Sequence, residues 1–191
     1  MELETLQRNG LVTTLYPWEV ETAYRIGKSR NQQNISKTNR HSYDASRLMS
    51  DNEIANVHSV MAEIGVCRLI GAYCYCAIWD MADHDAYKEL PDGLWGITEI
   101  EIKWRRTAFS MPVDLKDAER NRLVLWAEVR MAGCSCEQCA SNPPRTENQV
   151  RLLGGGYARE LWGLGKAYNG DPNRVSVHVD KISPISALLA R

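Results

Sequence analysis

A strand-like segment with one apolar and one charged face constrains the fold of this chain most. From Thr98 to Trp104, apolar residues alternate with the charged residues Glu99, Glu101 and Lys103. Successive side chains of a strand point to opposite faces, so the apolar set is expected to pack on a core. Charged groups that share the other face must be solvated or bind something charged, because burying them unpaired is costly. A turn signal, Pro91-Asp92-Gly93, precedes the segment and presents Asp92.

Length and composition favour a single domain with one core. The chain has 191 residues, of which 44% are hydrophobic. The net charge of -1 gives no overall electrostatic case for nucleic-acid binding, which must then rest on local patches. No stretch approaches a membrane span, and the start of the chain lacks a secretion signal. We therefore expect an intracellular protein without a membrane partner, whose six cysteines are reduced.

Residues 1–49 are expected to hold a short helix and a basic, polar arm. Pro17 is typical of a first helical residue, and Gly27 is typical of a helix end. The polar residues that follow form either a solvated connection or an arm that tracks a phosphate backbone. The candidate nucleic-acid contacts in this arm are Lys28, Arg30, Lys37 and Arg40.

Residues 50–191 are expected to form an α/β core. A capping box at Ser50–Glu53 predicts a helix that ends near Gly71, and the apolar run Leu123–Arg130 predicts a central strand. The glycines 154–156 predict a sharp exit from the sheet into a short helix. We expect polar turns over 111–122, a last strand over 175–180 and no second core.

The carboxylates in and around the central segment favour metal chemistry. Asp92 and Glu101 offer oxygen ligands of the kind that Mg²⁺ or Mn²⁺ takes. Lys103 shares a face with Glu101 and is placed to orient an attacking water or to stabilise charge on phosphorus. Glu63 falls on the apolar stripe of the predicted helix. It is either an acid directed at the sheet or a glutamate whose stem packs while its carboxylate reaches water.

Pro91-Asp92 followed by Glu101-Ile102-Lys103 resembles the PD-(D/E)XK signature of the restriction-endonuclease-like nuclease superfamily, including its small phage-encoded members. The resemblance implies a mixed β-sheet flanked by helices and metal-dependent hydrolysis of DNA phosphodiester bonds, here inside a bacterial host. It implies metal ligation by Asp92 and Glu101 and catalytic assistance by Lys103. Glu63 fits the position of an auxiliary acidic residue, also a candidate metal ligand, on the first core helix.

Two assignments near this motif stay open. Glu99 shares the face of Glu101 and is an alternative ligand, unless it pairs with Lys103 or Arg105. Arg105 and Arg106 are candidate phosphate contacts at the end of the strand.

A cysteine-containing insertion at 132–149 offers a second candidate site. Cys134, Cys136 and Cys139 are candidate ligands of a structural Zn²⁺, but no fourth ligand follows at the usual spacing. They are otherwise unliganded loop thiols. The alternatives to a nuclease are a catalytically inactive nucleic-acid-binding or regulatory protein on the same fold, and a protein-interaction module built on a zinc loop. The strandedness of the DNA and the presence of a homodimer are left open by the sequence.

Overall fold

The computed structural model describes residues 10–36, 49–76, 89–104, 110–133, 146–168 and 170–189. The predictions made for Lys37, Arg40, Arg105, Arg106 and the loop cysteines Cys134, Cys136 and Cys139 lie outside these residues. Within the described ranges, no helix combines the length and apolar character that crossing a membrane requires.

Strands and helices alternate along the chain. The strands are β1 (Leu11–Thr14), β2 (Tyr73–Cys74), β3 (Gly93–Trp95), β4 (Thr98–Trp104), β5 (Ser110–Asp114), β6 (Leu123–Arg130), β7 (Gln149–Tyr157), β8 (Lys166–Tyr168), β9 (Asp171–His178) and β10 (Ser183–Pro184). The helices are α1 (Pro17–Ser36), α2 (Met49–Ile70), α3 (Leu115–Arg120), α4 (Ala158–Leu164) and α5 (Ile185–Leu189). A 3₁₀ turn, Val179–Lys181, precedes β10.

The larger sheet is mixed. Its strand order is β1-β7-β6-β4-β3-β2, with β10 also paired to β7. The pair β4–β6 is parallel, and the other pairs of this sheet are antiparallel. A smaller antiparallel sheet has the order β5-β9-β8. The predicted α/β class and the mixed sheet with flanking helices are therefore confirmed.

Hydrophobic clusters cover both faces of the large sheet, contrary to the expectation of a single core. Strand β6 shows this directly, because Leu123 and Leu125 join one cluster whereas Val124 and Trp126 join the other. The first cluster includes residues of α1 and α2, and the second includes residues of β5, β9, α3 and α4. Ile100 and Ile102 of β4 belong to the first cluster, as the alternation predicts.

The predicted end of α1 at Gly27 is wrong, because the helix continues for nine more residues, to Ser36. A Cβ at Gly27 would lie 2.7 Å from the Cα of Val57 in α2, so this glycine permits two helices to approach closely. The predicted end of α2 is confirmed, since the helix ends at Ile70 and Gly71 has a φ of 67°. Exposed Lys28 thus lies on a helix rather than on a loose arm.

The glycines 154–156 lie inside β7, so the predicted sharp exit is wrong. A Cβ at Gly155 would lie 2.1 Å from the carbonyl oxygen of Val124 on the neighbouring strand. The polar turns expected after Met111 are also wrong, because β5 and α3 occupy that segment. The central position of β6 is confirmed, since it lies between β4 and β7.

Candidate active site

Asp92 is fixed beside the strand segment that carries Glu101 and Lys103. It immediately precedes β3, and its backbone N–H donates to the carbonyl oxygen of Ile100 at 3.0 Å. Its side-chain Oδ2 accepts a hydrogen bond from the backbone N–H of Ile102 at 2.6 Å. Because Ile102 stands between Glu101 and Lys103 in the chain, this bond places the Asp92 carboxylate beside the backbone of the segment that carries both residues.

Burial raises the pKa of Asp92 well above its usual range, and the negative charges of Glu101 and then Glu63 raise it further. The hydrogen bond from Ile102 and the charge of Lys103 oppose this rise without cancelling it. The carboxylates of Asp92 and Glu101 therefore repel each other. A cation between them would relieve this repulsion.

We expect Asp92→Asn to melt at a higher temperature than the wild type at pH 7, with a difference that vanishes near pH 4. The folded-state pKa of Asp92 lies above its unfolded value, so the folded wild type loses stability as the pH rises between the two. Asparagine keeps the acceptor for Ile102 and removes the charge. Thermal melts across this pH range measure the effect.

Asp180→Asn is the matched control, since its exposed carboxylate hydrogen-bonds His178 and its pKa is lowered by that bond. It should not raise the melting temperature at pH 7. A stabilisation by Asp92→Asn that is independent of pH would contradict the electrostatic cause.

Lys103 lies in what we term the carboxylate cage, formed by Glu101, Asp114 and Asp117. Its Nζ lies 2.8 Å from Glu101 Oε1, 3.1 Å from Asp114 Oδ2 and 3.5 Å from Asp117 Oδ2. Burial alone would lower the pKa of Lys103, but the three carboxylates outweigh it and raise that pKa. Lys103 in turn favours the ionised form of Asp114. Burial alone would raise the pKa of Asp114, but the positive charges of Lys103 and Arg174 outweigh burial and lower that pKa.

Arg122 is the partner of Glu99, in place of the pairing with Lys103 or Arg105 that the sequence suggested. Its fully buried guanidinium places Nε 2.8 Å from Glu99 Oε2, and Nη1 3.0 Å from Asp117 Oδ1 and 3.5 Å from Glu101 Oε2. Glu99 thus pairs with Arg122, whereas Glu101 reaches Lys103. Burial and the charge of Glu101 raise the pKa of Asp117.

Sequence reasoning missed Asp114, Asp117 and Arg122. They belong to the segment that was expected to form polar turns. Their contacts with Glu101 and Lys103 of β4 depend on the tertiary packing of that segment. Met111 and Val113 of β5 are fully buried and alternate with partly exposed residues, which is a strand signal. Pro112, which is rare in central strands, obscures that signal.

Glu63 is buried on α2 and binds Arg30 of α1. Arg30 Nη1 and Nη2 donate to the two carboxylate oxygens of Glu63 at 2.6 and 2.9 Å. Ser59 Oγ lies 3.3 Å from Glu63 Oε1. Arg30 is 7% exposed, which corrects the expectation that it faces solvent on a basic arm. Glu63 therefore acts on Asp92 through its charge, with both of its oxygens held by Arg30.

The donor set suits a cation that takes few protein ligands. In the described part of the chain, no group of three or more His, Cys, Asp or Glu side chains is placed to hold a metal ion. Mg²⁺ is usually bound through one or two carboxylates, with water and substrate phosphate completing its shell. Asp92 and Glu101 supply two carboxylates of this kind, and a metal ion would share Glu101 with Lys103 and Arg122, which lie 2.8 and 3.5 Å from its oxygens.

A cleft of about 570 Å³ adjoins the carboxylate cage. Asp114 lines the cleft and contacts Lys103 with one oxygen, while its other oxygen lies 2.5 Å from Arg174 Nε. The remaining lining residues are Glu89, Leu115, Lys116, Glu119, Asp171, Asn173 and Arg174.

Comparison of the chain with protein-family models, curated proteins and solved structures found no match in any of the three. The site is therefore interpreted from its own geometry and charges.

Proposed function

We propose that this protein is a Mg²⁺- or Mn²⁺-dependent nuclease that hydrolyses DNA phosphodiester bonds on a restriction-endonuclease-like fold. Asp92 and Glu101 hold the metal ion, and Lys103 stabilises the charge that develops on the scissile phosphate. Glu63, fixed by Arg30, contributes its negative charge from α2.

The observation that carries this proposal is the hydrogen bond from the Ile102 N–H to Asp92 Oδ2 at 2.6 Å. It brings a turn aspartate to the strand that bears Glu101 and Lys103. The raised pKa of Asp92 supports the proposal, because a carboxylate that is difficult to ionise beside another carboxylate favours a bound cation.

The protein side chains supply positioning and charge. When bound, a divalent ion would polarise the phosphodiester and activate a water molecule. Lys103 presents a charged ammonium whose side chain is 13% exposed, so its field is weakly screened by solvent. Glu101 holds that ammonium at 2.8 Å on the same strand face.

Incubation of the purified full chain with supercoiled plasmid and with single-stranded DNA tests the proposal. We expect cleavage of at least one substrate with Mg²⁺ or Mn²⁺ and none with EDTA, because phosphate chemistry at paired carboxylates requires the metal ion. Asp180→Asn, which changes an exposed carboxylate that pairs with His178 and Lys181, should cleave like the wild type.

Absence of cleavage with either ion on both substrates would contradict the nuclease proposal. DNA binding without cleavage would instead favour a nucleic-acid-binding protein on the same fold. Cleavage that persists in EDTA would indicate that Asp92 and Glu101 do not act through a metal ion.

A further inference from the structure

We propose that Asp114 and Asp117 are positioning residues that fix the Lys103 ammonium for the proposed DNA hydrolysis, an inference that rests on that function. Neither residue belongs to the Asp92–Glu101–Lys103 motif. Asp114 ends β5 and Asp117 lies in α3, so the fold brings them to β4 from a separate part of the chain.

The carboxylate cage engages two of the three hydrogen-bond donors of the Lys103 ammonium. A lysine ammonium has three donors and no acceptor. Lys103 Nζ donates to Glu101 Oε1 at 2.8 Å and to Asp114 Oδ2 at 3.1 Å, whereas Asp117 Oδ2 lies 3.5 Å away and forms an ion pair only. The Asp117 side chain is fully buried, and its Oδ2 has no hydrogen-bond partner in the described chain apart from this ion pair.

Each carboxylate of the cage is itself held by an arginine through its second oxygen. Asp114 Oδ1 lies 2.5 Å from Arg174 Nε, and Asp117 Oδ1 lies 3.0 Å from Arg122 Nη1. Glu101 Oε2 lies 3.5 Å from Arg122 Nη1. One oxygen therefore faces Lys103 and the other faces a guanidinium in all three cases, so the carboxylates cannot turn away from Lys103 without losing a second ion pair.

Fixing Lys103 matters because its four-carbon stem is flexible. A lysine side chain loses much rotamer freedom when it is held in one position, and the cage supplies that restraint before substrate arrives. A displacement of a catalytic group by about 1 Å can cost about 100-fold in rate. Among the described residues one donor of Lys103 is left for a substrate phosphate, whereas Asp114 and Asp117 act through Lys103.

Asp114→Asn tests this inference, since asparagine has nearly the same shape and lacks the charge. We expect kcat for DNA cleavage to fall by about 100-fold with KM unchanged. Asp114→Glu, which restores the carboxylate, should recover part of kcat. A second measurement uses ¹⁵N-lysine NMR spectra recorded without substrate. The signal of the hydrogen-bonded Lys103 ammonium is assigned by its absence in Lys103→Met. We expect this signal in the wild type and its loss in Asp114→Asn.

Arg174→Gln is the matched control. It removes the arginine that holds the second oxygen of Asp114 but leaves the contact between Asp114 and Lys103, so kcat and the ammonium signal should fall by less than in Asp114→Asn. If Asp114 serves only to pair with Arg174, both variants should behave alike, which would overturn the inference.

The outcomes separate this inference from the proposed function. If the wild type cleaves DNA and Asp114→Asn has the same kcat and the same ammonium signal, the positioning role is overturned and the nuclease remains. If the wild type does not cleave DNA, the nuclease proposal fails, and the catalytic part of this inference fails with it. Loss of the ammonium signal in Asp114→Asn alone supports the cage as the restraint on Lys103.

Discussion

Lys103→Met should lower the rate of DNA cleavage by about 100- to 1,000-fold, the effect expected when one preorganised charge at a developing anion is removed. Methionine keeps the length of the apolar stem and removes the ammonium. Because Lys103 is proposed to act on charge that develops during the reaction, kcat should fall with little change in KM. Steady-state cleavage of a fluorescent oligonucleotide with Mg²⁺ measures both constants.

The control for this variant must show that the protein stays folded when the carboxylates around Lys103 lose their positively charged partner. Removing one partner of a buried ion pair destabilises a protein, so thermal melts must show that Lys103→Met is folded at the assay temperature. Lys166→Met changes an exposed lysine of β8 in the same way and should retain activity. Cleavage by Lys103→Met at the wild-type rate would contradict a catalytic role for the ammonium.

Short-range periodicity predicted β4, β6 and α2 well. In β4, strict alternation gave both the strand and its faces, because burial on one side imposes a period of two. In α2, Gly71 marked the C-terminal end of the helix, whereas Ser50 of the predicted capping box lies inside the helix, which begins at Met49. These signals act within a few residues, so no knowledge of the fold was needed to find them.

Glycine was misinterpreted where tertiary contacts determine its role. Gly27 lies inside α1 and Gly155 inside β7, although both were expected to end an element. Each is needed because another backbone approaches too closely for a Cβ, at Val57 and at Val124 respectively. The sequence does not show which backbone will approach, so a glycine that permits close packing looks the same as a glycine that ends a helix or strand.

The motif could be predicted from the sequence, whereas its surroundings could not. Asp92, Glu101 and Lys103 are close in the chain, and a strand places the last two on one face. Asp117 and Arg122 join them through the crossover between the parallel strands β4 and β6, and the sequence does not specify how that connection packs. Arg30 was assigned to a basic, polar arm because its partner Glu63 lies 33 residues away in the chain.

Arg30→Ala should lower the free energy of unfolding by about 3–5 kcal/mol, because it leaves the carboxylate of Glu63 buried without its partner. The side chains of Arg30 and Glu63 are 9% and 4% exposed, and two hydrogen bonds join them. This loss is large beside the total stability of a typical domain, which is about 5–15 kcal/mol. Equilibrium unfolding in urea measures it.

Arg25→Ala is the matched control, since Arg25 lies on the same helix and also binds a glutamate, Glu21. Those side chains are 74% and 63% exposed, so the change should cost less than about 1 kcal/mol. The double variant Arg30→Leu/Glu63→Leu should recover much of the stability that Arg30→Ala loses, because it removes both buried charges. If Arg30→Ala costs no more than Arg25→Ala, Arg30 is not confined by Glu63 in solution. Arg30 would then be free to contact a phosphate backbone, and Glu63 would be free to act as a ligand.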